Sequence, residues 1–100
     1  MTYTIQFHPQ IKYEIKDSYN WYESKTIGLG ESLLLELEDA FSLIQEAPHI
    51  WPKKRNIFSR YVVQRFPSSI YYTVENENIY IYAVAHSSRK PYYWKKRSSI

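Results

Sequence analysis

Residues Asn78–Arg97 read NIYIYAVAHSSRKPYYWKKR, and two patterns meet inside this stretch. Ile79, Ile81, Ala83 and Ala85 alternate with Tyr80, Tyr82, Val84 and His86, the period of two that sends successive side chains to opposite faces of a strand. Both sets are apolar or aromatic until His86, which predicts an interior strand covered on at least one face. Ser87 and Ser88 then end the run. Beyond them Arg89, Lys90, Lys95, Lys96 and Arg97 are interleaved with Tyr92, Tyr93 and Trp94. Residues from about 87 to 100 therefore read as a cationic, aromatic tail delivered to one edge of a sheet, a candidate binding surface.

Upstream, Asn76-Glu77 fits a tight hairpin turn fed by a strand over Ser69–Glu75. Pro67-Ser68 makes another turn, and a further strand is expected near Arg60–Phe66, where the alternation is ambiguous. His49–Asn56, with Trp51, Pro52 and Lys53-Lys54-Arg55, reads as a loop. Pro48 closes a helix running from about Glu31 to Ala47, in which Leu33, Leu34, Leu37, Phe41 and Ile44 fall within an arc of roughly 100°. Leu35 and Leu43 lie off that arc, so this helix is expected to touch something on a second side. A first helix, about residues 9–25, carries the stripe Ile11, Ile15, Tyr19 and Tyr22, with Lys12, Glu14, Lys16, Asp17 and Glu23 read as largely off it. Both glycines of the chain, Gly28 and Gly30, lie in the link between the helices, which predicts an antiparallel pair. Thr2–His8 alternates again, with Tyr3, Ile5 and Phe7 on one face.

The order β-α-α-β-β-β, helices together and strands together, predicts an α+β fold: a helical hairpin packed on a mainly antiparallel four-stranded sheet. Its expected interior is Ile5, Phe7, Ile15, Tyr19, Leu33, Leu37, Phe41, Ile44, Ile79 and Ile81. The sequence does not place the first strand within the sheet. One hundred residues with 44% hydrophobic content make a single domain, 1–100, able to bury a core without staples. There is no cysteine, hence no disulfide framework or thiolate metal site. With neither a signal-peptide layout nor a long apolar run, the expected setting is the cytoplasm, away from membranes.

Charge is segregated along the chain: residues 1–50 carry three lysines against eight acids, residues 51–100 ten cations against two. The basic half favours a polyanionic or acidic partner, and aromatic rings among cations suit phosphate pairing and base stacking. Taken singly, each cation is more simply a solvated surface charge. Tyr71, Tyr72, Tyr80 and Tyr82 read as cross-strand packing pairs. His8, His49 and His86 fit no metal spacing, and no phosphate loop or nucleophile motif is present. No metal or cofactor is called for. Of the histidines, His86 is the best placed for proton chemistry.

Phe66-Pro67-x-x-Ile70-Tyr71-Tyr72, an acidic-polar turn, Ile79 to His86, and then His86-x-x-Arg89-x-Pro91 with Trp94 together resemble the RelE/ParE superfamily, the toxins of type II toxin–antitoxin modules. The resemblance spans nearly the whole chain and is nearer the ParE-like branch. It implies a growth-inhibiting toxin, neutralised by a cognate antitoxin from an adjacent gene and directed at DNA gyrase and replication, as in plasmid stabilisation. It also implies an alternative, a RelE-like ribosome-dependent mRNA endoribonuclease that needs no metal. Against the nuclease pattern, Ser69 stands where an arginine is expected, and Ser87 and Ser88 where His and Tyr are expected. If the chain cuts RNA, the candidate catalytic groups are Lys53, Lys54, Arg60, Arg65 and His86. The residues expected to bind target or antitoxin are His86, Arg89, Lys90, Tyr92, Trp94 and Arg97. A non-toxic nucleic-acid-binding domain is the third reading.

Overall fold

The chain runs through β1 (Thr4–Phe7), α1 (Ile11–Lys25), α2 (Leu29–Glu46), β2 (Lys53–Lys54), β3 (Phe58–Val62), β4 (Ser68–Glu75) and β5 (Asn78–His86). The computed structural model describes residues 3–51, 53–54 by backbone alone, 58–87, 93–94 and 97. The strands form one mixed sheet in the order β1-β5-β4-β3-β2. This is the expected helical hairpin on a mainly antiparallel sheet of four main strands, with the two-residue β2 added at one edge. Because two helices intervene between β1 and the later strands, the chain crosses back over the sheet, and β1 lies parallel to β5, Thr4 opposite Asn78 and Phe7 opposite Ile81. The first strand is thus an edge strand beside β5, and β5 is interior as its two apolar faces predict. The β4–β5 hairpin turns at Asn76, whose φ of 56° is one that asparagine tolerates better than most residues.

The alternation of β5 changes phase partway along. Tyr71 of β4 faces Ala83 whereas Tyr72 faces Ile81, so Tyr82 is an extra residue in β5, a bulge. Ile79, Ile81 and Val84 consequently join the core beneath the helices, while Tyr80, Tyr82 and Ala83 join a second cluster on the other face. The sequence pattern put Val84 with the tyrosines and Ala83 with the isoleucines. One inserted residue exchanges those two, because a strand's period is two.

The main core combines Ile11, Tyr22, Leu33, Leu37, Ala40 and Ile44 from the helices with Tyr61, Val63, Phe66, Ile70, Tyr72, Ile79, Ile81 and Val84, and Ile5, Ile15 and Phe41 pack on its rim. Phe7, expected inside, is 43% exposed and lies against Phe41 with ring centroids 5.1 Å apart, because an edge strand's end has no neighbour to cover it. The strand expected at 60–66 occupies 58–62 instead. Val63 and Phe66 are buried from a loop, where Val63 N–H donates to Ser68 O at 2.9 Å. Buried loop residues are what blurred the alternation there.

The hairpin link is built around one acid. The Glu23 carboxylate accepts the Gly28 and Gly30 N–H groups, each at 2.9 Å, and so satisfies orphan donors at the start of α2 from the neighbouring helix. Gly28 has φ 90°, outside the comfortable range of residues with a Cβ. A Cβ on Gly30 would lie 2.8 Å from the Tyr19 ring, so glycine sets how closely the helices approach.

Tyr72 is fully buried and its hydroxyl donates to Pro48 O at 2.6 Å, tying the end of α2 to the sheet. Burial pushes its hydroxyl up to about 12, against a smaller opposing effect from a hydrogen bond with Ser59. Burial also raises Tyr22, Tyr61 and Tyr80. The folded state therefore holds these protons more tightly than the unfolded chain, whose tyrosines titrate near 10. Their stabilising contribution is complete below about pH 10 and is lost as pH rises towards about 12. Thermal unfolding followed by circular dichroism should show melting temperature falling over that interval. Tyr72→Phe should flatten the fall while costing about 1 kcal/mol at neutral pH for the lost hydrogen bond.

Candidate functional site

β1 covers only the first half of β5. Their pairing stops at Phe7 and Ile81, where His8 N–H donates to Ile81 O at 2.9 Å. Beyond that point side chains take over. The Val84 N–H donates to Glu14 Oε1 at 3.0 Å, and Arg97 Nη1 donates to Tyr82 O at 2.7 Å. Glu14 Oε2 in turn accepts from Arg97 Nη2 at 2.8 Å and from the Tyr93 hydroxyl. The Arg97 guanidinium also lies over the Tyr93 ring, 5.3 Å from its centroid. A clasp of one acid, one arginine and one tyrosine thus ties Tyr93 and Arg97 to α1 and to the part of β5 that β1 does not reach.

Beside the clasp, α1 and the end of β5 enclose a cleft of about 400 Å³ lined by Glu14, Asp17, Ser18, Trp21, Tyr22, Val84 and His86. His86 lies on the helix-facing side, its Nε2 3.2 Å from the Tyr22 hydroxyl. On the opposite sheet face Trp94, 1% exposed, closes the second cluster, with ring centroids 4.5 Å from both Phe58 and Tyr71. Near the edge His8 is held below its usual value, first by burial and then by the Arg97 charge, with Glu14 opposing.

Of the residues expected to bind target or antitoxin, His86, Trp94 and Arg97 are described; Arg89, Lys90 and Tyr92 lie outside the described residues. Trp94, read from the sequence as an aromatic anchor for a partner, is packed inside this chain, because the far face of the sheet is aromatic and needs a cover. Arg97, read as a surface cation, is turned inward by Glu14. Sequence reasoning set Glu14 largely off the apolar stripe and Tyr93 among the rings of the tail, and gave neither a role at the site. Glu14 lies about 60° from Ile11 on an ideal helix, so it borders the apolar stripe instead of opposing it, and that angle was the available signal.

Among the described nuclease candidates, Arg60 and His86 do not gather. Arg60 follows Ser59 and precedes Tyr61, both buried, on β3. Its Nε donates to Ser69 Oγ at 3.0 Å, on the face shared with Phe58 and Tyr71. His86 is on the other face. Arg65 lies 3.7 Å from Glu36 of α2, with its side chain 63% exposed. Lys53 and Lys54 are on the far edge strand, their side chains outside the description. Among the described residues no group of three or more His, Cys, Asp or Glu is arranged to hold a metal ion, and no helix is long and apolar enough to cross a membrane.

A sheet of this order under a two-helix hairpin defines a small α+β domain. Residues 5–91 match the model of the ParE toxin of the type II toxin–antitoxin system parDE, and the chain belongs to that family. Among solved structures it is similar to a chain of the chromosomal ParDE TA system from P. aeruginosa, with a TM-score of 0.72 and 13% identity over 85% of this chain and 96% of that one. At that identity the likeness is one of fold. No curated protein sequence matches.

Proposed function

We propose that this ParE-family toxin acts by binding and inhibiting DNA gyrase in the cytoplasm, stopping replication, and that a cognate antitoxin from an adjacent gene neutralises it. The observation that supports a binding mechanism over RNA cleavage is the scatter of the titratable groups. Cutting RNA requires a base for the 2′-OH, a cation for the charged phosphorane and an acid for the leaving oxygen, all within hydrogen-bond reach of one phosphate. Arg60 and His86 are on opposite faces of the sheet, and each is engaged within the fold, with Ser69 and Tyr22. The target-binding surface of this reading is the C-terminal segment with Arg89, Lys90 and Tyr92, seated by Trp94 and Arg97 and flanked by His86. An antitoxin segment carrying acids and apolar anchors suits the basic half, with charge setting on-rate and register and apolar burial setting affinity.

The purified protein is expected to abolish supercoiling by gyrase while leaving ribosome-bound mRNA intact in a primer-extension assay, and Arg89→Ala is expected to weaken the gyrase effect at least tenfold. Codon-specific cleavage of the mRNA by the wild type would replace this reading with the nuclease one. Co-expression with the neighbouring reading frame is expected to yield a soluble complex and restore growth.

A further inference from the structure

We propose that Glu14 is a positioning residue: its carboxylate fixes, through Tyr93 and Arg97, the register in which Tyr93, Trp94 and Arg97 meet the sheet, and so the surface that their part of the chain offers to the target. The inference rests on the reading of that segment as the target-binding surface.

Two anchors hold the segment, and they differ in kind. Trp94 is an apolar anchor set among Phe58, Tyr71 and Tyr82. Apolar burial is strong but non-directional, so it keeps the segment on the sheet without specifying which rung of β5 it meets. The Glu14–Arg97 pair is directional. Arg97 uses one nitrogen for the carboxylate and another for Tyr82 O, a fork whose planar geometry admits few alternatives. Those contacts fall one and three residues past Ile81, the last residue of β5 that β1 reaches. The ion pair therefore stands where the next rungs of a strand would stand.

The burial of this pair is itself informative. Its side chains are 16% and 7% exposed, whereas the other described ion pair leaves its arginine 63% exposed. A buried ion pair carries a desolvation cost that an apolar pair avoids, so stability alone does not account for it, and fixing one geometry among several is the best-attested use of such groups. The bulge at Tyr82 adds to this, because it sets the edge geometry to which Arg97 binds.

Glu14→Gln separates the two roles, since glutamine still offers an oxygen to Val84 N–H but carries no charge for Arg97. The test uses full-length protein labelled with 5-fluorotryptophan, whose three tryptophans give three fluorine resonances; Trp94→Phe assigns the relevant one. In Glu14→Gln the Trp94 line is expected to broaden or split while the Trp21 and Trp51 lines stay in place. Survival after induced expression is expected to rise at least tenfold, with Arg97→Lys, which keeps charge but loses the fork, intermediate in both. A sharp, unshifted Trp94 line in Glu14→Gln would overturn the proposal, and so would a disturbed line with full toxicity. Should Glu14→Gln collapse all three lines, Tyr93→Phe, which removes one hydroxyl from the clasp, carries the same comparison. Growth inhibition that tracks the Trp94 line without any effect on gyrase would remove the gyrase reading and leave the role of Glu14 standing. If the wild type does not inhibit growth at all, the target reading fails and the Trp94 line alone decides whether Glu14 sets the register.

Discussion

Trp94→Ala is expected to cost about 3–5 kcal/mol of folding stability, a large share of the 5–15 kcal/mol typical of a domain. Trp21→Ala is expected to cost less than about 1 kcal/mol. The two residues are the same in kind and opposite in setting. Trp94 is 1% exposed and Trp21 54% exposed. Around Trp94 stand Phe58 and Tyr71, each with ring centroids 4.5 Å away, and Tyr82 at 6.4 Å. Truncating the indole would open a void that three rings on a fixed sheet cannot collapse into. Trp21 meets Tyr22 edge-on at 4.9 Å and carries the Lys25 ammonium 4.9 Å from its ring centroid, contacts that water largely replaces. Urea denaturation of both variants checks the contrast. Equal midpoints would mean that the C-terminal segment does not dock on the sheet in solution.

That contrast also marks where the sequence was legible and where it was not. Element order, the helical hairpin, the Asn76-Glu77 turn and the interior place of β5 follow from local signals: periodicity, glycine and proline positions, and an apolar run flanked by turns. Leu33, Leu37, Ile44, Ile79 and Ile81 are buried as their spacing predicts. What failed is what local signals do not encode. The bulge at Tyr82 swaps Ala83 and Val84 between faces, yet nothing in IYIYAVAH distinguishes a bulged strand from a regular one, because every residue in it suits either face. The inward turn of Arg97 depends on a carboxylate 83 residues upstream in the chain, and that of Trp94 on rings carried by three strands. Trp94 and Arg97 read as outward-facing when the rings and the carboxylate that hold them are unknown. The dispersal of Arg60 and His86 likewise depends on which strand face each occupies, and placing the strand at 60–66 hid that and put Arg65, a loop residue beside Glu36, on it.

Arg97→Ala is expected to be about as damaging as Trp94→Ala, for a different reason. Removing the arginine leaves the Glu14 carboxylate, with its side chain 7% exposed, against the underside of the sheet. Val84 N–H and the Tyr93 hydroxyl would be its remaining described partners. Breaking a buried pair by deleting one member typically costs about 3–5 kcal/mol, because the survivor keeps its desolvation penalty and loses the charge that offset it. Replacing both members behaves otherwise. In Glu14→Leu/Arg97→Met no charge is left behind, the apolar stems still fill the space, and the remaining loss is chiefly the Val84 N–H bond to the carboxylate, about 1–3 kcal/mol for such a group. The double variant should therefore be more stable than Arg97→Ala alone. Denaturation of the singles and the double, combined as a thermodynamic cycle, should give a coupling energy above about 1 kcal/mol. A coupling near zero would mean that Glu14 and Arg97 do not meet in solution, and the clasp on the half of β5 beyond β1 would have to be abandoned.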